Sequence, residues 1–191
     1  ARLTIDALSA GKPVMVEKPL GLNTEEIQSV QTAREKSNVF FQVDFNRRFA
    51  PLAVKAKAAL MSIGGPKFMI FRINAGPIPI DSWIHSTDEG GGRIIGEMCH
   101  FINTMIYLAE SKPKEVFAYS LDFENENTYK KSDNICVIIK FSDGSLANMV
   151  YNTVGNKSVN KEYIELYSDG VVGIVDDFIS LQIFNKIKNI K

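Results

Sequence analysis

From residue 115 to residue 184 the sequence alternates apolar and polar side chains in short runs, with aspartate-glycine pairs between some of them. The runs fall at 115–121, 134–141, 145–152, 161–167 and 170–175, with a further piece at 178–184. Alternation with a period of two is what a strand shows when one of its faces is buried. Ser142-Asp143-Gly144 and Ser168-Asp169-Gly170 supply hairpin turns, because aspartate and glycine tolerate positive φ. These runs predict five or so antiparallel strands under one layer of helices. The opposite face is left free for a partner or a substrate.

The helices for that layer lie upstream. Residues 52–61 read as a helix stopped by Gly64-Gly65. Residues 67–75 follow as another strand of the antiparallel sheet, with Phe68, Ile70 and Arg72 alternating against Met69, Phe71 and Ile73. Gly76-Pro77-Ile78-Pro79 breaks it, and the loop at 80–92 then carries Asp81, Trp83, His85, Asp88 and Glu89. A loop with so many hydrogen-bonding groups and one indole suits a polyol or sugar, although Trp83 could equally anchor the loop on the core. Gly90-Gly91-Gly92 opens a helix over 93–108 whose apolar face is Ile95, Met98, Cys99, Ile102, Met105 and Ile106. Arg93, Glu97, His100 and Thr104 form a second stripe at steps of four, three and four.

The first 46 residues follow a different plan. Residues 1–10 read as the tail of a helix ended by Gly11, so the chain is expected to begin in mid-fold. Val14-Met15-Val16 reads as a buried strand that stops at Glu17-Lys18-Pro19. Residues 23–37 form the clearest helix, capped by Asn23 with Glu26 at the capping-box position, and residues 39–43 form a second strand. Strand, helix and strand in that order imply a parallel pair with a crossover helix. Ligands collect beyond the carboxyl ends of such strands, where Glu17, Lys18 and Pro19 stand. Proline biases Lys18 out of the helical region.

The totals narrow the partners. Lys plus Arg and Asp plus Glu are 22 each, a balance that argues for neither nucleic acid nor an anionic membrane. No apolar run approaches the roughly 20 residues of a bilayer span, and no signal peptide is recognisable. Cys99 and Cys136 lack CxxC spacing and read as reduced thiols of a cytoplasmic protein. With His85 and His100 they do not form a zinc pattern, so no metal is expected.

Three segments carry a family resemblance. Ala10-Gly11-Lys12-Pro13 with Glu17-Lys18-Pro19-Leu20, then Asn46-Arg47-Arg48-Phe49 with Pro51, then Gly90-Gly91-Gly92 through His100 resemble the glucose-fructose oxidoreductase, inositol dehydrogenase and MocA (Gfo/Idh/MocA) family. The resemblance implies α/β plus α+β architecture: the C-terminal part of a Rossmann domain at 1–46, then a mostly antiparallel open-faced sheet domain at 47–191. It implies that Lys18 lies beside the nicotinamide and the reacting substrate carbon, and that His100 is acid and base for the substrate hydroxyl. Glu17, Lys18, Pro19 and Arg48 would bind NAD or NADP. Lys18, Trp83, Glu97 and His100 would bind a sugar, sugar-nucleotide or polyol substrate, and the sheet face would carry a homo-oligomer contact, such as a dimer's.

Two departures set the resemblance against itself. The family pattern has an aspartate four residues before the histidine, and position 96 is glycine here. Glu97 stands next to it and can meet His100 as an i, i+3 neighbour. The G-x-G-x-x-G turn on which a dinucleotide pyrophosphate rests does not occur in the 191 residues, so the chain is expected to be a fragment inactive alone. Two functions therefore stand: an NAD(P)-dependent dehydrogenase represented by its catalytic segment, or a ligand-holding or assembly module that has lost the chemistry. Each named residue also has a plain alternative: a structural histidine, a surface lysine beside a proline, a solvated Arg47-Arg48 pair.

Overall fold

A computed structural model describes residues 1–61, 63–122 and 129–185. Residues 186–191, whose lysine-rich sequence reads as a frayed tail, lie outside the described residues. Contacts divide the chain into two compact units, one made of Ala1–Asn46 with Asp81–His100, the other of Arg47–Ile80 with the chain from Phe101 onward.

The first unit opens with helix α1 (Arg2–Ser9). Gly11 ends it at φ 67°, with its own N–H on Leu8 O at 3.0 Å and that of Lys12 on Ala7 O at 3.0 Å. This double bond is the Schellman arrangement that glycine at positive φ permits. Strand β1 (Val14–Glu17) pairs in parallel with β2 (Phe41–Asp44), so that Glu17 and Asp44 end in register. Helix α2 (Thr24–Ser37) crosses between them. Asn23 Oδ1 caps α2 by accepting from Glu26 N at 2.9 Å. The return bond of the expected capping box reaches one residue further out, from Leu22 N to Glu26 Oε2 at 2.9 Å. The two-strand sheet corrects the expectation of a buried β1. Met15 is 64% exposed, because α1 and α2 pack on one another around Leu8 and Val30 and leave its face uncovered.

The second unit is a seven-stranded sheet. Helix α3 (Pro51–Met61) leads into β3 (Phe68–Asn74), and helix α4 (Cys99–Ala109) leads into β4 (Pro113–Ser120). Strands β5 (Ile135–Phe141), β6 (Leu146–Asn152), β7 (Glu162–Ser168), β8 (Val171–Asp176) and β9 (Ser180–Phe184) follow. The spatial order is β4-β5-β6-β3-β7-β8-β9. Every neighbouring pair is antiparallel except β3 with β6. The helical crossover from β3 to β4 returns the chain in the same direction, and the β4-β5-β6 meander then lays β6 parallel to β3.

Burial follows the alternation. Met69, Phe71 and Ile73 of β3 are 0% exposed, with Met149, Tyr151 and Leu166 beside them on the same face. Helix α3 packs under β7, β8 and β9, and Phe101 of α4 meets Tyr151 with ring centroids 6.2 Å apart. On the other face Phe68, Phe117, Tyr119, Ile138, Val150 and Phe184 are exposed. Asp169 (φ 35°) and Gly170 (φ 80°) make the β7–β8 turn with positive φ at both corners, as the sequence predicts. Among the described residues no helix is long and apolar enough to cross a membrane.

Candidate active site

The site begins where β1 stops. The Lys18–Pro19 peptide bond is cis, and Lys18 Nζ donates to Gly96 O at 2.8 Å. Both residues belong to the first unit, 78 positions apart in sequence.

Gly96 sits in the middle of a π-helical turn, Ile94–Met98, which runs into α4. This corrects the expectation of a regular α-helix over 93–108. A wheel drawn at 3.6 residues per turn puts Ile95 on the apolar face, yet the wider π-turn leaves it 37% exposed. The polar stripe is also not a solvated one: Arg93 is 3%, His100 5% and Thr104 1% exposed. Arg93 donates to Glu97 Oε2 at 2.9 Å, so the carboxylate next to Gly96 is engaged by a buried guanidinium.

The three glycines before the turn have steric reasons. A Cβ on Gly90 would stand 2.4 Å from Ile84 O and 2.5 Å from Ile84 Cα. Gly91 and Gly92 adopt φ 69° and 74°, where other residues are strained. Ser86 O accepts from both Gly90 N and Gly91 N, at 3.0 and 2.8 Å, and ties the turn Trp83–His85 to the glycines. Trp83 is 62% exposed, so it does not anchor its loop by burial. His100 lies edge-on to Phe45, with ring centroids 6.1 Å apart at 82°.

The remaining candidates stand as follows. Glu17 is exposed and Pro19 half-buried at the end of β1. Arg48 belongs to the second unit, where Nε donates to Asn103 Oδ1 at 2.6 Å and the guanidinium lies 5.6 Å from the Tyr107 ring centre. It lines an open groove of about 340 Å³ with Lys57, Tyr107 and Lys112. Arg47 forms a two-point ion pair with Glu162, with Nε to Oε2 at 2.8 Å, and lies 4.8 Å over Phe101. Neither arginine is simply solvated. The sequence alone does not single out Phe45, which stands just before the Asn46-Arg47-Arg48-Phe49 motif, or the carbonyl of Gly96, which carries no side-chain signal.

Comparison with known proteins bears on this arrangement. A family profile described as GFO/IDH/MocA C-terminal domain matches residues 53–169, and one described as oxidoreductase family, NAD-binding Rossmann fold, matches residues 1–45. The chain belongs to the Gfo/Idh/MocA family. It is 29% identical over 151 residues to myo-inositol 2-dehydrogenase of Thermotoga maritima, covering 76% of this chain and 44% of that protein. With trans-1,2-dihydrobenzene-1,2-diol dehydrogenase of Xenopus laevis it shares 29% over 139 residues, 71% of this chain and 40% of that one. The chain thus spans less than half the length of these relatives. The solved structure of a levoglucosan dehydrogenase in complex with NADH superposes with TM-score 0.83 at 21% identity, covering 100% of this chain and 55% of that one. At that identity the likeness bears on the fold. In this Gfo/Idh/MocA chain, the Rossmann match ends at residue 45, next to Asn46, where the first stretch of the first unit closes.

Proposed function

We propose that this chain is the catalytic segment of an NAD(P)-dependent dehydrogenase that moves hydride between nicotinamide and a hydroxyl-bearing carbon of a sugar or polyol. The observation that carries the reading is the 2.8 Å bond from Lys18 Nζ to Gly96 O, which ties the end of β1 to the turn leading into His100. The family match and relatives named for acting on a cyclitol and on a cyclic diol support it. In this reading residues 1–46 serve the cofactor and residues 47–191 the substrate and assembly.

The aligned carboxyl ends of β1 and β2 fit the nicotinamide end of a dinucleotide, with Glu17, Lys18 and Pro19 holding it. A nicotinamide held there would supply the acceptor for the hydride of the carbinol carbon. The chain's own residues handle the oxygen. His100 takes the hydroxyl proton, and its burial against Phe45 keeps competing water away. The Lys18 ammonium faces the negative charge that builds on that oxygen. Trp83, exposed on its braced turn, offers an apolar face to a ring substrate, and Glu97, held by Arg93, is a hydroxyl acceptor. Cys99 and Cys136, neither of them in a disulfide, accord with a reducing compartment such as the cytoplasm. The exposed apolar face of the large sheet accords with pairing to a second copy.

Turnover in the full-length parent polypeptide, on a panel of cyclitols and aldoses with NAD and NADP, tests this. His100→Ala is expected to lower kcat by about 10² to 10³-fold and to flatten its pH profile. Unchanged turnover would remove the acid-base role. Ligand binding with no turnover in the unsubstituted parent would leave the module reading standing instead.

A further inference from the structure

We propose that Gly96 is a positioning residue whose main-chain carbonyl, and not a side chain, fixes the Lys18 ammonium. This deepens the dehydrogenase reading and rests on it for the role of Lys18. The contact is part-buried at 2.8 Å, and its acceptor lies in the π-turn Ile94–Met98. A π-turn tilts carbonyls out of the α-helical ladder and is a device found often at functional sites. Here it directs one toward the end of β1.

Glycine lets the turn sit close against Gly90. A Cβ on residue 96 would stand 3.1 Å from Gly90 O, tighter than ordinary contact. Gly90 is itself closely placed, since a Cβ on it would stand 2.4–2.7 Å from Ile84 main-chain atoms, and it has little room to give way. Any side chain at 96 therefore pushes the turn off Gly90 and shifts the carbonyl against Lys18.

The identity of the acceptor has a chemical consequence. A carboxylate on the ammonium would neutralise most of its field, whereas a neutral carbonyl orients it and leaves the charge. The carboxylate next to Gly96 in sequence, Glu97, is engaged by Arg93 at 2.9 Å. An oriented, uncompensated cation is what a developing alkoxide requires.

The test uses the full-length parent, Gly96→Ala and Gly96→Asp, with two readouts. The first is the rate of reductive methylation of Lys18 relative to exposed Lys12, read by mass spectrometry, which needs no turnover. In the unsubstituted protein Lys18 is expected to label several-fold more slowly than Lys12; equal rates overturn the contact, whether or not a variant folds. Gly96→Ala is expected to speed Lys18 labelling and to lower kcat by about tenfold, with KM changed less than about twofold. Gly96→Asp is expected to lower kcat as well. A folded Gly96→Ala that labels at the unsubstituted rate overturns the proposal, and so does a Gly96→Asp with raised kcat. Absence of nicotinamide-dependent turnover in the parent would defeat the functional reading alone, and the labelling would still decide the geometry.

Discussion

The first unit buries Leu8, Val30 and Met98 and otherwise holds its shape with turns: a Schellman end, an asparagine cap, three consecutive glycines and a π-turn. The second buries a continuous face of β3, β6 and β7 against α3 and α4. Stability in the sheet comes from apolar area, which is non-directional and forgiving of small shifts. Geometry in the first unit comes from close backbone approach, which is directional and unforgiving. The residues proposed for chemistry sit in the unit that relies on approach, as a site needing sub-ångström placement should.

The contrast can be broken from the sheet side first. Phe71→Ala removes a ring 0% exposed in β3 and is expected to cost about 3–5 kcal/mol in denaturant unfolding of the chain. A cost below about 1 kcal/mol would mean that the sheet is not where stability resides. Next, Gly90→Ala puts a methyl 2.4–2.7 Å from Ile84 main-chain atoms and is expected to cost about 2 kcal/mol. It is also expected to change Trp83 fluorescence, because Ile84 follows Trp83 in the braced turn; an unaltered spectrum would argue that the loop is not braced by that contact.

The smallest effect is a pH one. The little water that the exposed Asp143 carboxyl loses pushes it up, but hydrogen bonds from the Ser145 hydroxyl and N–H, then Ser111 and the Lys67 charge, outweigh it and hold the group below its ordinary 3.8. A depressed folded value means stability that is present above 3.8 and lost as pH falls through the lower folded value. Asp143→Asn is therefore expected to be slightly less stable than the unsubstituted chain at pH 6, with the gap closing at pH 3. A gap of equal size at both pH values would contradict the assignment.

Local signals were legible in the sequence. Asn23 with Glu26 announced α2, Asp169-Gly170 announced its hairpin, and the alternation of β3 separated its two faces, of which the structure buries Met69, Phe71 and Ile73. Glu17-Lys18-Pro19 and Gly90-Gly91-Gly92 lie on either side of the contact between Lys18 and Gly96. Other features were illegible for physical reasons. A period of 3.6 residues cannot register a π-turn, so Ile95 was placed on the wrong face. The partner of Arg47 is Glu162, 115 residues away, and no local pattern links them. The parallel β3–β6 pair depends on the order in which hairpins return, which alternation does not encode. The acceptor for Lys18 is backbone, and every residue has one.

The widened turn at Ile94–Met98 amounts to one residue more than an α-helix would spend on the same rise. Deleting a single residue there would let the segment wind back to regular pitch over the same rise, with the elements on either side keeping their places. The carbonyl of Gly96 would then return to the helical ladder and leave the Lys18 ammonium without its acceptor. Segment length, counted in residues, is thus itself a setting of this contact, one that drift in side-chain identity cannot easily alter and that a one-codon gap would reset.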